Sequence, residues 1–239
     1  QSVNIPIVYG YGLSETTATV CFYPEIGFQF GSIGDVMPDV QVRIDPENSE
    51  ILVKGKTVMS GYYNKPAENE KAFTEDGYFR TGDAGRMEGN TLFFTERIKD
   101  LYKTSNGKYI APQAIEMVMS GDQYIEQIAV IGDQRKFVSA LIVPAYSLLE
   151  KYAEEKGLAV GSREELVRNK EVLRLIETHI EENQKNLASY EKIKRFTLLS
   201  EPFTMGSELT DTLKLRRSVI LKKYADSIEK MYEEASNLS

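Results

Sequence analysis

One cysteine, Cys21, in 239 residues leaves no second thiol to pair with, so a disulfide framework is excluded and a reducing compartment is expected. Histidine is as scarce: His179 stands alone, and no CxxC or Cys/His cluster has the spacing of a metal site. No apolar run approaches the ~20 residues that cross a bilayer; IAVIGD and VSALIVP are typical of the longest. Positive charge is short too, with 29 Lys and Arg against 36 Asp and Glu and a net charge of −7. That balance, with a pI near 5.1, excludes the basic footprint of a nucleic-acid surface and turns attention to small-molecule chemistry. It also weakens any pull toward anionic lipid. No charged-then-apolar leader and no initiator Met opens the chain, which enters the strand-like IPIVYGYG almost at once. We expect the C-terminal part of a longer, cytoplasmic protein, with peripheral membrane contact left open and the oligomeric state unread.

What is present suggests two units, because single cores stop growing near ~250–300 residues and domains average about half that. From Gln1 to about Arg97 the chain reads as short β-like runs, IPIVYG, VQVRI, EILVKG and NTLFFTER, divided by turn-rich segments such as GSIGD, DPENSE and MEGN. This is expected to be a β-rich, barrel-like unit over residues 1–98. Beyond it the texture changes to α/β, giving a second, mobile unit over residues 99–239. A Pro at a first-turn position opens APQAIEMVMSG, two apolar strands IEQIAVIGD and KFVSALIVP follow, and helical patterns run from about Ala145 to Lys192. Val219, Ile220, Tyr224, Ile228 and Tyr232 recur at helical intervals and form a core-facing stripe.

The stretch at residues 77–116 is the most informative. Asp83 ends a strand-like run beside a Gly, and Arg97, Lys99, Asp100 and Lys103 follow the apolar run NTLFF, so one carboxylate and several cations can face a nucleotide. A turn capped by Asp83 is the plainer reading. Upstream, YGLSET brings Ser14 and Glu15 out at a strand end; a carboxylate there suits Mg²⁺ shared with phosphate oxygens, or is a solvated loop acid. Asn106-Gly107-Lys108 reads as a tight turn whose glycine admits close approach of a ligand to the backbone, or as an ordinary hairpin turn. Two weaker patterns are set aside. Gly10-Tyr11-Gly12 lacks the third glycine of a dinucleotide fingerprint, and Gly55-Lys56-Thr57 has Glu50 where a phosphate loop needs glycine. Nothing around His179 forms a triad, so it reads as a helix-surface or half-buried residue, and Cys21 reads as a small buried hydrophobe.

YGLSET, ILVKGKTVMSGYYNKPAENEKAF, GYFRTGD, ERIKDLYKTSNGKYIAPQAIE and ELTDTLKLRR occur here in the order that resembles the adenylate-forming superfamily of acyl-CoA synthetases, adenylation domains and luciferases. KTSNGKYIAP, SYEKIKRF and ELTDTLKLRR look most like the long-chain fatty acid–CoA ligase branch, and the resemblance covers essentially the whole chain. It implies that Glu15 is associated with Mg²⁺, that Ser14 stands for the phosphate-binding Thr, and that the Tyr11 ring stacks on adenine. It also implies that Asp83 accepts both ribose hydroxyls and Arg97 contacts ribose and phosphate, with a buried tyrosine and a surface ion pair as the bland alternatives. By the same resemblance Lys99 is the hinge, Lys103 approaches phosphate, and the Gly107 turn lines the pantetheine path. Lys214 is the late catalytic lysine that bridges the carboxylate and α-phosphate, although Asp211 stands where the branch usually has Pro and Arg216 and Arg217 crowd the same place. An exposed basic helix start is its alternative.

The expectation is thus the C-terminal part of a long-chain fatty acid–CoA ligase. Its substrates would be fatty acid, ATP and CoA, its metal Mg²⁺, and its partner the missing N-terminal portion of the same enzyme. The alternatives are a ligase for another acid, aryl or amino, and a non-catalytic nucleotide-binding or interaction fragment. The glycine- and hydroxyl-rich phosphate loop of the superfamily is absent, so the 239 residues alone are not expected to turn over.

Overall fold

The computed structural model describes residues 8–24, 27, 29–159 and 161–236; the first part of the expected IPIVYG strand lies outside them. The chain divides into two compact units that meet between Leu101 and Tyr102.

Among the described residues the first unit is built on seven antiparallel strands: β1 (Gly10–Tyr11), β2 (Cys21–Phe22), β3 (Gly34–Val36), β4 (Val40–Ile44), β5 (Glu50–Gly55), β6 (Phe79–Glu88) and β7 (Thr91–Arg97). Their order across the sheet is β1-β2-β3-β7-β6-β5-β4. VQVRI alternates in burial as a half-covered strand should, whereas Ile51, Leu52 and Val53 of the next strand are all buried. Val20, Cys21, Ile51, Val53 and Leu92 form this unit's core. A short helix, α1 (Pro66–Ala72), starts with Pro at its first turn, where no N–H is missed.

The barrel-like expectation needs correcting. Among the described residues β1 and β4 do not pair, so the sheet stays open. It is nevertheless strongly curled. β1 is four ladder steps from β6, a separation of roughly 19 Å in a flat sheet at about 4.8 Å per step, yet the Tyr11 hydroxyl reaches Asp83 of β6 at 2.6 Å. Hydrogen bonds from Met59 N–H to Glu15 O, 2.8 Å, and from Thr17 Oγ1 to Thr57 O, 2.7 Å, tie the segment after β1 to the one after β5. Loops and side chains, rather than a closed ladder, hold the curl.

The second unit opens with a small hairpin, β8 (Tyr102–Lys103) and β9 (Tyr109–Ile110), and continues through α2 (Pro112–Met119). A mixed sheet follows: β10 (Ile125–Ile131) pairs antiparallel with β11 (Val138–Pro144), which pairs parallel with β12 (Ile193–Leu198). All seven residues of β11 are buried, as a central strand covered on both faces requires. Between β11 and β12 run α3 (Tyr146–Glu155), α4 (Arg163–Leu166) and α5 (Lys170–Asn183). In α5, Val172, Ile176 and Ile180 make the buried stripe, and the Asn169 side chain accepts from Glu171 N–H at 2.9 Å as its N-cap. The chain closes with α6 (Arg217–Lys223) and α7 (Ala225–Ser236), which bury Ile220, Ile228 and Met231. Among the described residues no helix is long and apolar enough to cross a membrane.

Leu141 is fully buried in the middle of β11. Leu141→Ala is therefore expected to destabilise the second unit by about 2–5 kcal/mol, read as lost amide protection in β10–β12 peptides by hydrogen exchange, with β5–β7 protection unchanged.

Candidate functional site

In the first unit the structure brings together three of the expected residues. Asp83 and Arg97 are directly opposite each other on β6 and β7. The Asp83 side chain is 2 % exposed, and Arg97 Nη1 stands 2.9 Å from Oδ1 as an ion pair, without the alignment of a hydrogen bond. Tyr11 donates its hydroxyl to Oδ2 at 2.6 Å. Burial pushes the Tyr11 phenol well above its ordinary value, and the adjoining Asp83 carboxylate pushes it further. The hydroxyl therefore stays a donor. Asp83 is no turn cap, since its carboxylate faces Tyr11 and Arg97 instead of its own backbone.

Asp83 is aimed by residues that carry no motif signal for that role. Gly82 takes φ +71, a conformation natural to glycine, and its N–H donates to Glu50 Oε1 at 3.0 Å. The other Glu50 oxygen accepts from Arg80 Nη1 at 2.8 Å. Thr81 Oγ1 donates to Ile51 O at 2.7 Å and accepts from Asp83 N–H at 3.1 Å. Strand register slips beside both segments, between Glu50 and Leu52 and between Ala84 and Gly85, so a pair of bulges re-aims this carboxylate. Arg80 lies in GYFRTGD and Glu50 just before ILVKGK, but their partnership crosses strands and leaves no local signal.

Ser14 and Glu15 sit in a 3₁₀ turn, Ser14–Thr16. Ser14 is exposed and Glu15 half-buried, with Tyr62 donating its hydroxyl to Glu15 Oε1 at 3.0 Å. Among the described residues no group of three or more acidic, His or Cys side chains cages a metal. A single carboxylate beside an exposed hydroxyl suits magnesium, which binds through one or two protein oxygens and fills its shell with water and phosphate. Close to this turn, a Cβ on Gly12 would fall 1.5 Å from Ala18 O, so only glycine lets the turn fold back here.

Lys99 is exposed in a second 3₁₀ turn, Ile98–Asp100, just before the unit boundary. In the second unit Lys103 is exposed, with its ammonium 5.1 Å from the Tyr109 ring centroid. Gly107 adopts φ +77 with open space where a Cβ would go; the Thr104–Lys108 turn closes through Gly107 N–H to Thr104 O, 2.8 Å. Lys214 is exposed in the loop between β12 and α6. Its crowded neighbours are accounted for. Arg216 donates to Gly206 O and Ser207 O at 2.9 and 3.0 Å, and Arg217 forms a two-pronged pair with half-buried Glu116 at 2.8 and 2.9 Å. Among the described residues the Lys214 ammonium has no such partner.

Residues 99–236 match the family described as AMP-binding enzyme C-terminal domain. The chain belongs to this family. Along 98 % of its length it is 32 % identical to the long-chain-fatty-acid–CoA ligase FadD15 of Mycobacterium bovis, of which it covers 39 %. It is 32 % identical over 93 % of its length to human long-chain-fatty-acid–CoA ligase 1, covering 34 % of that protein. Among solved structures, the adenylation domain of a carboxylate reductase from Mycobacterium chelonae superposes with a TM-score of 0.63 at 26 % identity, over 95 % of this chain and 34 % of that one. The chain thus spans well under half the length of the curated relatives it matches. The family assignment covers the second unit, with its hairpin and its lysine loop.

The remaining chemical candidates resolve as structural. His179 Nδ1 lies 2.8 Å from Asp122 Oδ2, and Asn183 Nδ2 donates to the same oxygen at 2.8 Å, a clasp from α5 to the turn after α2. Cys21 is fully buried and its Sγ donates to Ile33 O at 3.1 Å; burial pushes its thiol up to about 11. A thiol so placed holds little thiolate at pH 8, so a disulfide-exchange reagent should label Cys21 only after denaturation. Tyr11→Phe removes the one hydroxyl aimed at the buried Asp83 Oδ2 and should cost the first unit about 1–3 kcal/mol, measured as loss of hydrogen-exchange protection in β6 and β7.

Proposed function

We propose that this chain is the C-terminal part of a long-chain fatty acid–CoA ligase. A fatty-acid carboxylate oxygen attacks the α-phosphorus of ATP, the α–β bridging P–O bond breaks, and pyrophosphate leaves. The CoA sulfur then attacks the acyl carbonyl, its proton is lost, and the acyl–phosphate C–O bond breaks to release AMP. The observation that carries this reading is the similarity to long-chain fatty acid–CoA ligases along nearly the whole chain.

In this reading Asp83 receives the ribose hydroxyls. A carboxylate has about four lone-pair sites; the Tyr11 hydroxyl takes one on Oδ2 and Arg97 meets Oδ1 only as an ion pair, which leaves acceptor capacity for a diol. Tyr11 offers a ring face for adenine while its hydroxyl holds Asp83, and Arg97 meets ribose and phosphate with the part of its guanidinium that stays exposed. Ser14 donates to phosphate. Glu15 would hold Mg²⁺, which when bound supplies neutralisation of the phosphate charge. Lys214 presents its exposed ammonium to the carboxylate and α-phosphate oxygens, where it offsets charge that gathers in the transition state. Lys99 serves as the pivot that changes which face of the second unit is in use, Lys103 approaches phosphate, and the Gly107 turn lines the path of the pantetheine arm. A cytoplasmic enzyme, with peripheral contact to membranes that hold its substrate, fits the same proposal.

Lys214→Ala, made in a protein extended to the length of its relatives, should slow acyl-adenylate formation by ~10²–10³-fold and leave thioester formation from supplied acyl-adenylate unchanged. Equal losses in the two half-reactions would refute this division of labour. Pyrophosphate exchange across fatty, aryl and amino acids tests the substrate class, and a preference for a short aryl or amino acid would replace the fatty acid in the proposal.

A further inference from the structure

Among the buried carboxylates to which the ligase reading gives no role, Glu208 is fully enclosed. It lies in the loop between β12 and α6 that carries Lys214. Thr204 donates to Glu208 Oε2 through its N–H at 3.2 Å and its hydroxyl at 3.3 Å, and the Lys223 ammonium of α6 donates to Oε1. The Glu208 carbonyl in turn accepts Arg216 N–H at 2.7 Å. One residue therefore ties the start of the loop, its end and the helix behind it.

Between these ties the chain reverses tightly. Thr210 N–H donates to Lys214 O and Leu213 N–H to Thr210 O, both at 2.9 Å, and Lys214 N–H donates to Thr210 Oγ1 at 3.1 Å. Leu213 is held at φ +60, which a branched apolar side chain adopts only when its surroundings dictate it. The loop entry is fixed as well. Gln127 of β10 accepts Phe203 N–H at 2.6 Å and donates to Phe203 O at 3.2 Å.

An apolar residue would fill the place of Glu208 without the cost of taking a charge out of water. What only a carboxylate supplies is directed acceptance of several donors at once. Burial alone would push its carboxyl up, but the hydrogen bonds from Lys223 and Thr204 outweigh burial and hold it at about 2. The clamp is thus charged at neutral pH.

We propose that Glu208 is a positioning residue: clamped by Lys223 and Thr204, it sets the Thr210–Lys214 turn so that the Lys214 ammonium is presented in one place. This rests on the ligase reading for what Lys214 does, though not for the loop geometry. Glu208→Gln keeps the size but sets an amide against the Lys223 ammonium. In the 239-residue chain we expect the Thr210 and Leu213 amides to exchange at least ~10-fold faster, with β11 amides unchanged, because opening is local. In the protein of relatives' length, acyl-adenylate formation should slow at least ~10-fold, with the KM for the acid within about twofold and thioester formation from supplied acyl-adenylate unaffected. Unchanged Thr210 and Leu213 exchange would overturn the positioning role whatever Lys214 does. Faster exchange with adenylate formation untouched would overturn the link to Lys214, and the Lys214→Ala comparison judges the ligase reading separately. If Glu208→Gln does not fold, Thr204→Val removes one donor from an exposed position and should give the same pattern in smaller measure; no change in loop exchange there would equally overturn the proposal.

Discussion

A carboxylate buried to 2 % exposure has to be met by partners from the protein, and for Asp83 they come from opposite directions: the Arg97 cation on the neighbouring strand as an ion pair, and the Tyr11 hydroxyl from the far edge of the sheet as a donor. The second of these dictates the shape of the first unit. Tyr11 reaches Asp83 only if the sheet curls through four ladder steps, and the curl in turn brings the Ser14–Thr16 turn against the segment after β5. Leaving Asp83 without the hydroxyl would strand a buried acceptor, which costs more than an ordinary hydrogen bond contributes. Glu50 and Thr81 extend the same constraint inward by fixing the backbone on either side of Gly82.

The second unit uses buried charge differently. Here the ion pairs brace the edges of a loop. Arg217 draws the start of α6 onto Glu116 of α2, and the same Glu116 oxygen accepts Val130 N–H of β10 at 2.8 Å. Burial raises the Glu116 carboxyl and its donors pull against it. Core packing by β11 and the helices around it gives the unit its stability, while these pairs decide where the ends of the lysine loop lie.

Much of the fold could be read from local pattern. VQVRI, NTLFFTER and KFVSALIVP became β4, β7 and β11 because period and apolar content are set within a few residues, and Pro112 marked the start of α2 as the sequence suggested. Sheet closure was not legible, because whether β1 meets β4 depends on partners far apart in the chain. The site divides the same way. Asp83, Arg97 and Lys214 stand in motifs, which is how the resemblance singles them out as candidates. Glu50, Thr81 and Glu208 act through contacts 30 or more residues away, or across a turn whose shape no spacing announces. His179 reads correctly as half-buried, but its pairing with Asp122, 57 residues distant, is visible only in three dimensions.

Arg216 and Arg217 look in sequence like a basic cluster with Lys214, yet each is committed to carbonyls or a carboxylate of the protein itself. The loop therefore offers an arriving anion one point charge on a chain of net charge −7, and a single ammonium is felt over about one Debye length, ~8 Å in physiological salt. Such a surface does not draw polyanions in from a distance. In the proposed role it would act only on an anion already held beside it, discriminating by placement instead of by long-range pull.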